Sequence, residues 1–300
     1  MIHRVPYRLI DFYQRHSRRG DDLALITVLD TEGSTYSKAG GQMLVAESGN
    51  FEGMLSGGCL ENDLGERAKT VMRENRSAKV TYDLSQDDGV FGLGVGCEGA
   101  IHVLIQPLTA NTQYEPFASL VSGLSVAPFV DFPIPDDEGI EASTRLWAPV
   151  RLLILGAGQD AEPLVVFAVE LGYQVSLSDH RAASITGFRA VPGVSPVCVP
   201  ADSIASHFEL DRFDAVIVMS HNLDADRTYL KILADSSAPY IGLLGPPHRR
   251  DRLLREIGNS ADSFGDRLHG PVGRQLGGRG PGAIALEIVA ELQARFSTVD

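Results

Sequence analysis

The sequence predicts an α/β protein in two parts: a small N-terminal α+β domain and, after it, a doubly wound parallel sheet. Three observations carry this expectation. From Pro149 onward, apolar strand-like runs alternate with helical stretches, the order that builds a parallel sheet covered on both faces. The first of these runs breaks at Gly156-Ala157-Gly158 and passes into a helix, and Asp179 closes the next strand; strand, glycine turn, helix, strand and acid together make this half Rossmann-like. Before residue 109, by contrast, several strands surround a helix without that alternation. A length of 300 residues also exceeds what one core usually fills.

Taken in order, residues 6–19 read as an amphipathic helix offering Leu9, Ile10, Phe12 and Tyr13 for burial, and Gly20 ends it. Residues 23–29 are an apolar, β-rich run and so a buried strand. A polar loop over 31–41 returns into a strand at 42–46, and Ser48-Gly49-Asn50 turns the chain into a third at 51–55. A helix is expected over 60–76, with Leu60, Leu64, Ala68, Val71 and Met72 on one face, then strands at 79–84 and 100–105. Residues 109–148 differ. Pro116, Pro128, Pro133, Pro135 and Asp136-Asp137-Glu138 interrupt any period, so a Pro-rich acidic linker with some local packing is expected between domains at 1–108 and 149–300. Beyond it, strands are expected at 151–155, 174–178, 214–219 and 240–244, and helices at 161–171, 225–234, 249–257 and 282–295.

A hydrophobic content of 44% with 22% charged residues is that of an ordinary globular chain. The formal charge of −13 argues against general nucleic-acid binding, which needs a basic footprint. No apolar run reaches the length of a membrane span, and the first residues lack a secretory apolar core. Cys59, Cys97 and Cys198 form no CxxC pair, which fits a reducing compartment, argues against structural zinc, and makes the cytoplasm the expected location. A homodimer is expected.

Two regions carry candidate chemistry. Ser56-Gly57-Gly58-Cys59-Leu60-Glu61 sets a thiol after two glycines and before a helix, where outward N–H groups could hold an anion or lower a thiol pKa. Glu61 and Asp63 would oppose a thiolate there, and the alternative is a tight turn with a small inert cysteine. Gly92 to Gly99 contains a second such cysteine, Cys97, beside Gly96, Glu98 and Gly99. In the second half, Gly156, Gly158, Asp179, Arg181, His221, Arg249 and Arg250 fall at the carboxyl ends of strands or at helix starts, where ligands of such folds bind. Arg181 can pair with a phosphate, and basic residues at a helix start hint at an anionic ligand. Against this, Arg249 and Arg250 could be a solvated pair and His221 a satisfied strand-end residue. Asp160 and Glu162, in the first turn of the helix after Gly158, would disfavour the pyrophosphate of NAD(P). Cys198, between Pro196 and Pro200, is expected to be structural.

These blocks together resemble the XdhC/CoxI family, the xanthine dehydrogenase accessory factors. The resemblance is carried by Ala39-Gly40-Gly41-Gln42-Met43-Leu44-Val45, the two cysteine motifs, Gly156-Ala157-Gly158, Asp179-His180-Arg181, Met219-Ser220-His221-Asn222 with Asp224, Tyr240 to Gly245, His269-Gly270-Pro271-Val272-Gly273 and residues 284–292. The resemblance implies a chaperone that binds molybdenum cofactor (molybdopterin), protects it, and assists its sulfuration and insertion into a molybdenum hydroxylase. It further implies two partners, a cysteine desulfurase and the large subunit of the hydroxylase, and makes Cys59 and Cys97 the motif cysteines able to touch molybdenum. The chain departs from the pattern at Glu98, Gln159, Pro246-Pro247 and Arg274-Gln275, which leaves the form of the ligand open. An NAD(P)-dependent oxidoreductase is the alternative reading. Redox pairing of Cys59 with Cys97 is a third.

Overall fold

The computed structural model describes residues 3–83, 99–135 and 141–297. The chain divides at Ala148/Pro149 into two compact units, one of residues 2–148 and one formed mainly by residues 149–300.

The first unit is built on a five-stranded antiparallel sheet. Its elements are α1 (Tyr7–Ser17), β1 (Leu23–Gly33), β2 (Gln42–Ala46), β3 (Phe51–Glu52), α2 (Glu61–Glu74), β4 (Ala78–Asp83) and β5 (Gly99–Leu108), with strand order β3-β2-β1-β5-β4. The unbroken apolar run of β1 follows from helices covering both faces. Leu23 and Leu25 pack with Leu9 and Phe12 of α1, whereas Ala24, Ile26 and Val28 pack with Leu64, Ala68 and Val71 of α2. Alternate residues of a strand point to opposite faces, so a strand buried on both sides shows no alternation in its letters.

The stretch expected as a linker is part of this core. It forms α3 (Phe117–Val126) and an antiparallel hairpin of β6 (Phe129–Pro135) and β7 (Glu141–Trp147). Phe117, Leu120, Leu124, Phe132 and Leu146 join Leu9, Leu23 and Leu44 in one cluster. The expected strand at 51–55 keeps two residues, Phe51–Glu52, and β1 runs on to Gly33 into the stretch expected as loop.

The second unit is a six-stranded parallel sheet in the order β10-β9-β8-β11-β12-β13. In chain order it comprises β8 (Arg151–Leu155), α4 (Ala161–Glu170), β9 (Gln174–Asp179), α5 (Ala182–Ile185), β10 (Val194–Cys198), α6 (Ile204–His207), β11 (Ala215–Val218), α7 (Leu223–Ala234), β12 (Ile241–Leu243), α8 (Pro247–Ile257), β13 (Leu268–His269) and α9 (Pro281–Phe296). Leu152, Ile154 and Ile217 face α4 and α9, and Leu153, Leu155 and Val218 face α7 and α8. The order reverses between β8 and β11, and ligands of such sheets bind at that switch, beyond the carboxyl ends of the strands. Strands β10 and β13 lie outside the expected elements. Cys198, expected to be structural, is exposed at the end of β10. No helix among the described residues is long and apolar enough to cross a membrane.

Phe117 is fully buried, so Phe117→Ala should cost about 3–5 kcal/mol of unfolding free energy. Denaturant unfolding checks this; a loosely packed linker would leave the midpoint of the first unit unmoved.

Candidate functional site

The turn between β3 and α2 is organised from beneath by Glu61. The Leu55 and Ser56 N–H groups donate to its Oε1 at 2.9 and 2.8 Å, and the Gly58 N–H donates to Oε2 at 2.9 Å. The Ser56 hydroxyl also donates to Oε2, at 2.5 Å, and accepts from the Leu60 N–H at 2.7 Å. Burial acts to raise the Glu61 pKa, but the Ser56 hydroxyl and the backbone donors outweigh it and hold the carboxyl below its ordinary range. Three N–H groups of the turn that the sequence suggested for an anion or a thiolate are therefore taken by the chain's own carboxylate.

Gly57 and Gly58 have φ of +76° and +108°, which only glycine adopts without strain. The Tyr36 ring lies against Gly57, its nearest carbon 3.4 Å from where a Cβ would stand, while nothing lies within 4 Å of that point at Gly58. Cys59 is half-buried and packs on the α2 face of the core. Gly99 opens β5 pressed against the backbone carbonyls of Glu32 and Ser34, where no side chain fits. Gly96, Cys97 and Glu98 lie outside the described residues, and with them any pairing of Cys59 with Cys97.

At the carboxyl edge of the second unit the structure brings Gly156, Gly158, Asp179, Arg181 and His221 together. Gly156, with φ +124°, touches the Met219 carbonyl, so the turn after β8 lies directly on the end of β11. Asp179 is fully buried. Its Oδ2 accepts from the Ala157 N–H at 2.8 Å and from Arg181 Nη2 at 2.7 Å, and its Oδ1 accepts from the N–H and Nε of Arg181 at 2.8 and 2.9 Å. Burial opposes the charge, yet Arg181 and the two N–H groups pull the pKa down to about 2. Four donors fill the acceptor positions of a carboxylate, so Asp179 has none open for a ribose hydroxyl.

His221 sits at φ +58°, a left-handed conformation rare outside glycine, and its Nε2 pairs with Asp160 Oδ2 at 2.6 Å. Beside it, Asp226 accepts from the Ser220 hydroxyl at 2.5 Å and from Arg249 Nη2 at 2.7 Å. Arg250 is elsewhere, held by the Gly270 carbonyl and Asp251. Arg181 and Arg249, read as phosphate ligands, are thus each paired with a buried carboxylate. A cleft of about 430 Å³ runs along this edge, lined among others by Ala157, Gly158, Glu162, Arg181, Ser184 and Phe188. Glu61 as a clamp, Asp160 and Asp226 were not legible as partners, because sequence shows an acid near a turn but not what it reaches. Among the described residues no group of three or more His, Cys, Asp or Glu could hold a metal ion.

Comparison with known proteins bears on both units. A family model described as the XdhC Rossmann domain matches residues 152–292, and one described as the XdhC and CoxI family matches residues 16–83. The chain is 30% identical over 310 residues to a Bacillus subtilis protein named as a probable subunit of xanthine dehydrogenase, covering 91% of this chain and 92% of that one. It is 25% identical over 293 residues to the Escherichia coli molybdenum cofactor insertion chaperone PaoD, covering 91% and 83%. A crystal structure described as a xanthine dehydrogenase from Bacillus halodurans matches with a TM-score of 0.73 at 28% identity, over 97% of this chain and 96% of that one.

Because the folded pKa of Asp179 is depressed, its stabilisation is complete above the unfolded value near 4 and is lost as pH falls through about 2. Asp179→Asn should cost about 2 kcal/mol at neutral pH, with the gap to wild type narrowing between about pH 4 and pH 2. Urea unfolding across that range measures it.

Proposed function

Since the chain belongs to the XdhC and CoxI family, we propose that it is a molybdenum cofactor chaperone: it binds the cofactor as cargo, shields it, and assists its sulfuration and insertion into a xanthine dehydrogenase-type molybdenum hydroxylase. Its proposed partners are a cysteine desulfurase and the large subunit of the hydroxylase, the cytoplasm its proposed location and a homodimer its proposed form. The observation that carries the reading is a half-buried thiol, Cys59, on a glycine turn with open space over Gly58, in a chain similar over most of its length to a named insertion chaperone.

The cargo's dithiolene and molybdenum are soft groups, and a cysteine sulfur is the matching protein donor. On this reading Ser56, Gly57 and Gly58 present Cys59, while Gly96, Cys97 and Gly99 form the second cysteine motif. The carboxyl edge of the second unit takes a polar ligand group, with Arg181 and His221 as its contacts, Gly156 and Gly158 as its floor and Asp179 as the residue that orients Arg181. Arg249 acts by fixing Asp226 and the strand end, and Arg250 by bracing the Gly270 loop. The oxidoreductase reading is disfavoured by the filled acceptors of Asp179 and by Glu162 in the cleft, a carboxylate that a pyrophosphate would meet.

Full-length protein exposed to a molybdopterin source should retain pterin fluorescence and molybdenum, and Cys59→Ser should lower retention at least about tenfold, a loss of about 1.4 kcal/mol of binding free energy. Folded wild type that retains no pterin overturns the proposal. Calorimetric titration with NAD(H) and NADP(H) should give no heat; nicotinamide binding without pterin would move the assignment to an oxidoreductase.

A further inference from the structure

Backbone N–H groups converging on one point ordinarily make a site for an external anion. In the turn at Ser56–Cys59 the anion is internal. Glu61, 4% exposed, takes three backbone donors and a hydroxyl. Two consequences reach Cys59. The residues on either side of it are pinned, Gly58 by its N–H on Glu61 and Leu60 by its N–H on the Ser56 hydroxyl that Glu61 itself holds. Three N–H groups of the turn, those of Leu55, Ser56 and Gly58, are also taken by Glu61, and its negative charge stands two residues from the thiol.

We propose that Glu61 is the positioning and selectivity residue of Cys59. It fixes where the thiol stands and sets a carboxylate charge beside it that disfavours an incoming phosphate or carboxylate, so a ligand meets this turn through a soft sulfur or metal centre and not through a phosphate. The inference rests on Cys59 being a cargo contact and adds which end of the cargo it meets. Gly58 leaves the room for that approach, since nothing lies within 4 Å of where its Cβ would be.

Two reagents of nearly equal size, iodoacetamide and iodoacetate, test this. Each forms a sulfur–carbon bond with loss of iodide, and they differ by one negative charge. Rates at Cys59 are read by peptide mapping on the full-length chain, with the urea-unfolded chain giving the intrinsic ratio. The amide-over-acetate ratio in folded wild type should exceed the intrinsic one about tenfold. In Glu61→Gln, which keeps the volume and one carbonyl acceptor, the ratio should fall to within about twofold of intrinsic. Inorganic phosphate should not slow alkylation of wild-type Cys59. A wild-type ratio equal to the intrinsic one overturns the proposal, as does a Glu61→Gln variant in which both rates change together at constant ratio. Should that variant fail to fold, the phosphate arm decides, because protection of wild-type Cys59 by phosphate equally overturns it. Alkylation needs no cofactor, so a chain that binds no pterin removes the chaperone reading while this measurement still judges Glu61.

Discussion

A buried carboxylate drawn under a glycine turn is the interaction on which both candidate regions depend. Taking a carboxylate out of water costs several kcal/mol unless its lone pairs are met. Glu61 meets that cost with three N–H groups and a hydroxyl, and Asp179 with two N–H groups and the Arg181 fork. Hydrogen bonds to a charged group contribute about 1.5–3 kcal/mol each, enough to make the turns rigid. Asp226 and Asp160 extend the pattern, one tying Ser220 to Arg249 and the other holding His221. The polar groups of the second unit's edge are therefore set by acids and not by free cations.

Most of the fold was readable because its strands and helices bury the faces their letters advertise. The run at 23–28 is strand because both of its faces are covered, and 151–155 is strand for the same reason. Residues 109–148 read as a linker only if every proline is a break. In the structure Pro116 precedes the first turn of α3, and Pro133 and Pro135 lie in a two-stranded hairpin. A strand in such a hairpin has one side outside the ladder, so a missing N–H there loses nothing. Strand β10 is hidden on the same ground, since Pro196 sits in an edge strand.

The meeting of the candidate residues at one edge was legible in the sequence, and their pairing was not. Gly156, Gly158, Asp179, Arg181 and His221 do meet at one edge, as glycine turns and strand ends foretold. What sequence cannot carry is saturation. Arg181 reads as a free phosphate ligand until Asp179 is seen to hold it, and Glu61 reads only as a charge opposed to a thiol until its carboxylate is seen to hold the N–H groups of the turn as well.

That difference decides what a familiar turn can do. A strand, a glycine turn and a helix define a fold, and function belongs to the groups placed on it. A dinucleotide needs an open carboxylate for its ribose and unopposed N–H groups for its pyrophosphate. This edge offers a filled carboxylate, an acid at the start of α4, and a histidine in a backbone conformation that costs on the order of 1 kcal/mol to hold. That cost is met by the 2.6 Å pairing of His221 with Asp160, while the ring, 60% exposed, leans over Gly158 at the mouth of the turn. The pairing that holds this strained residue thus also sets an imidazole over the glycine turn at the sheet's switch point, where the fold's ligands bind.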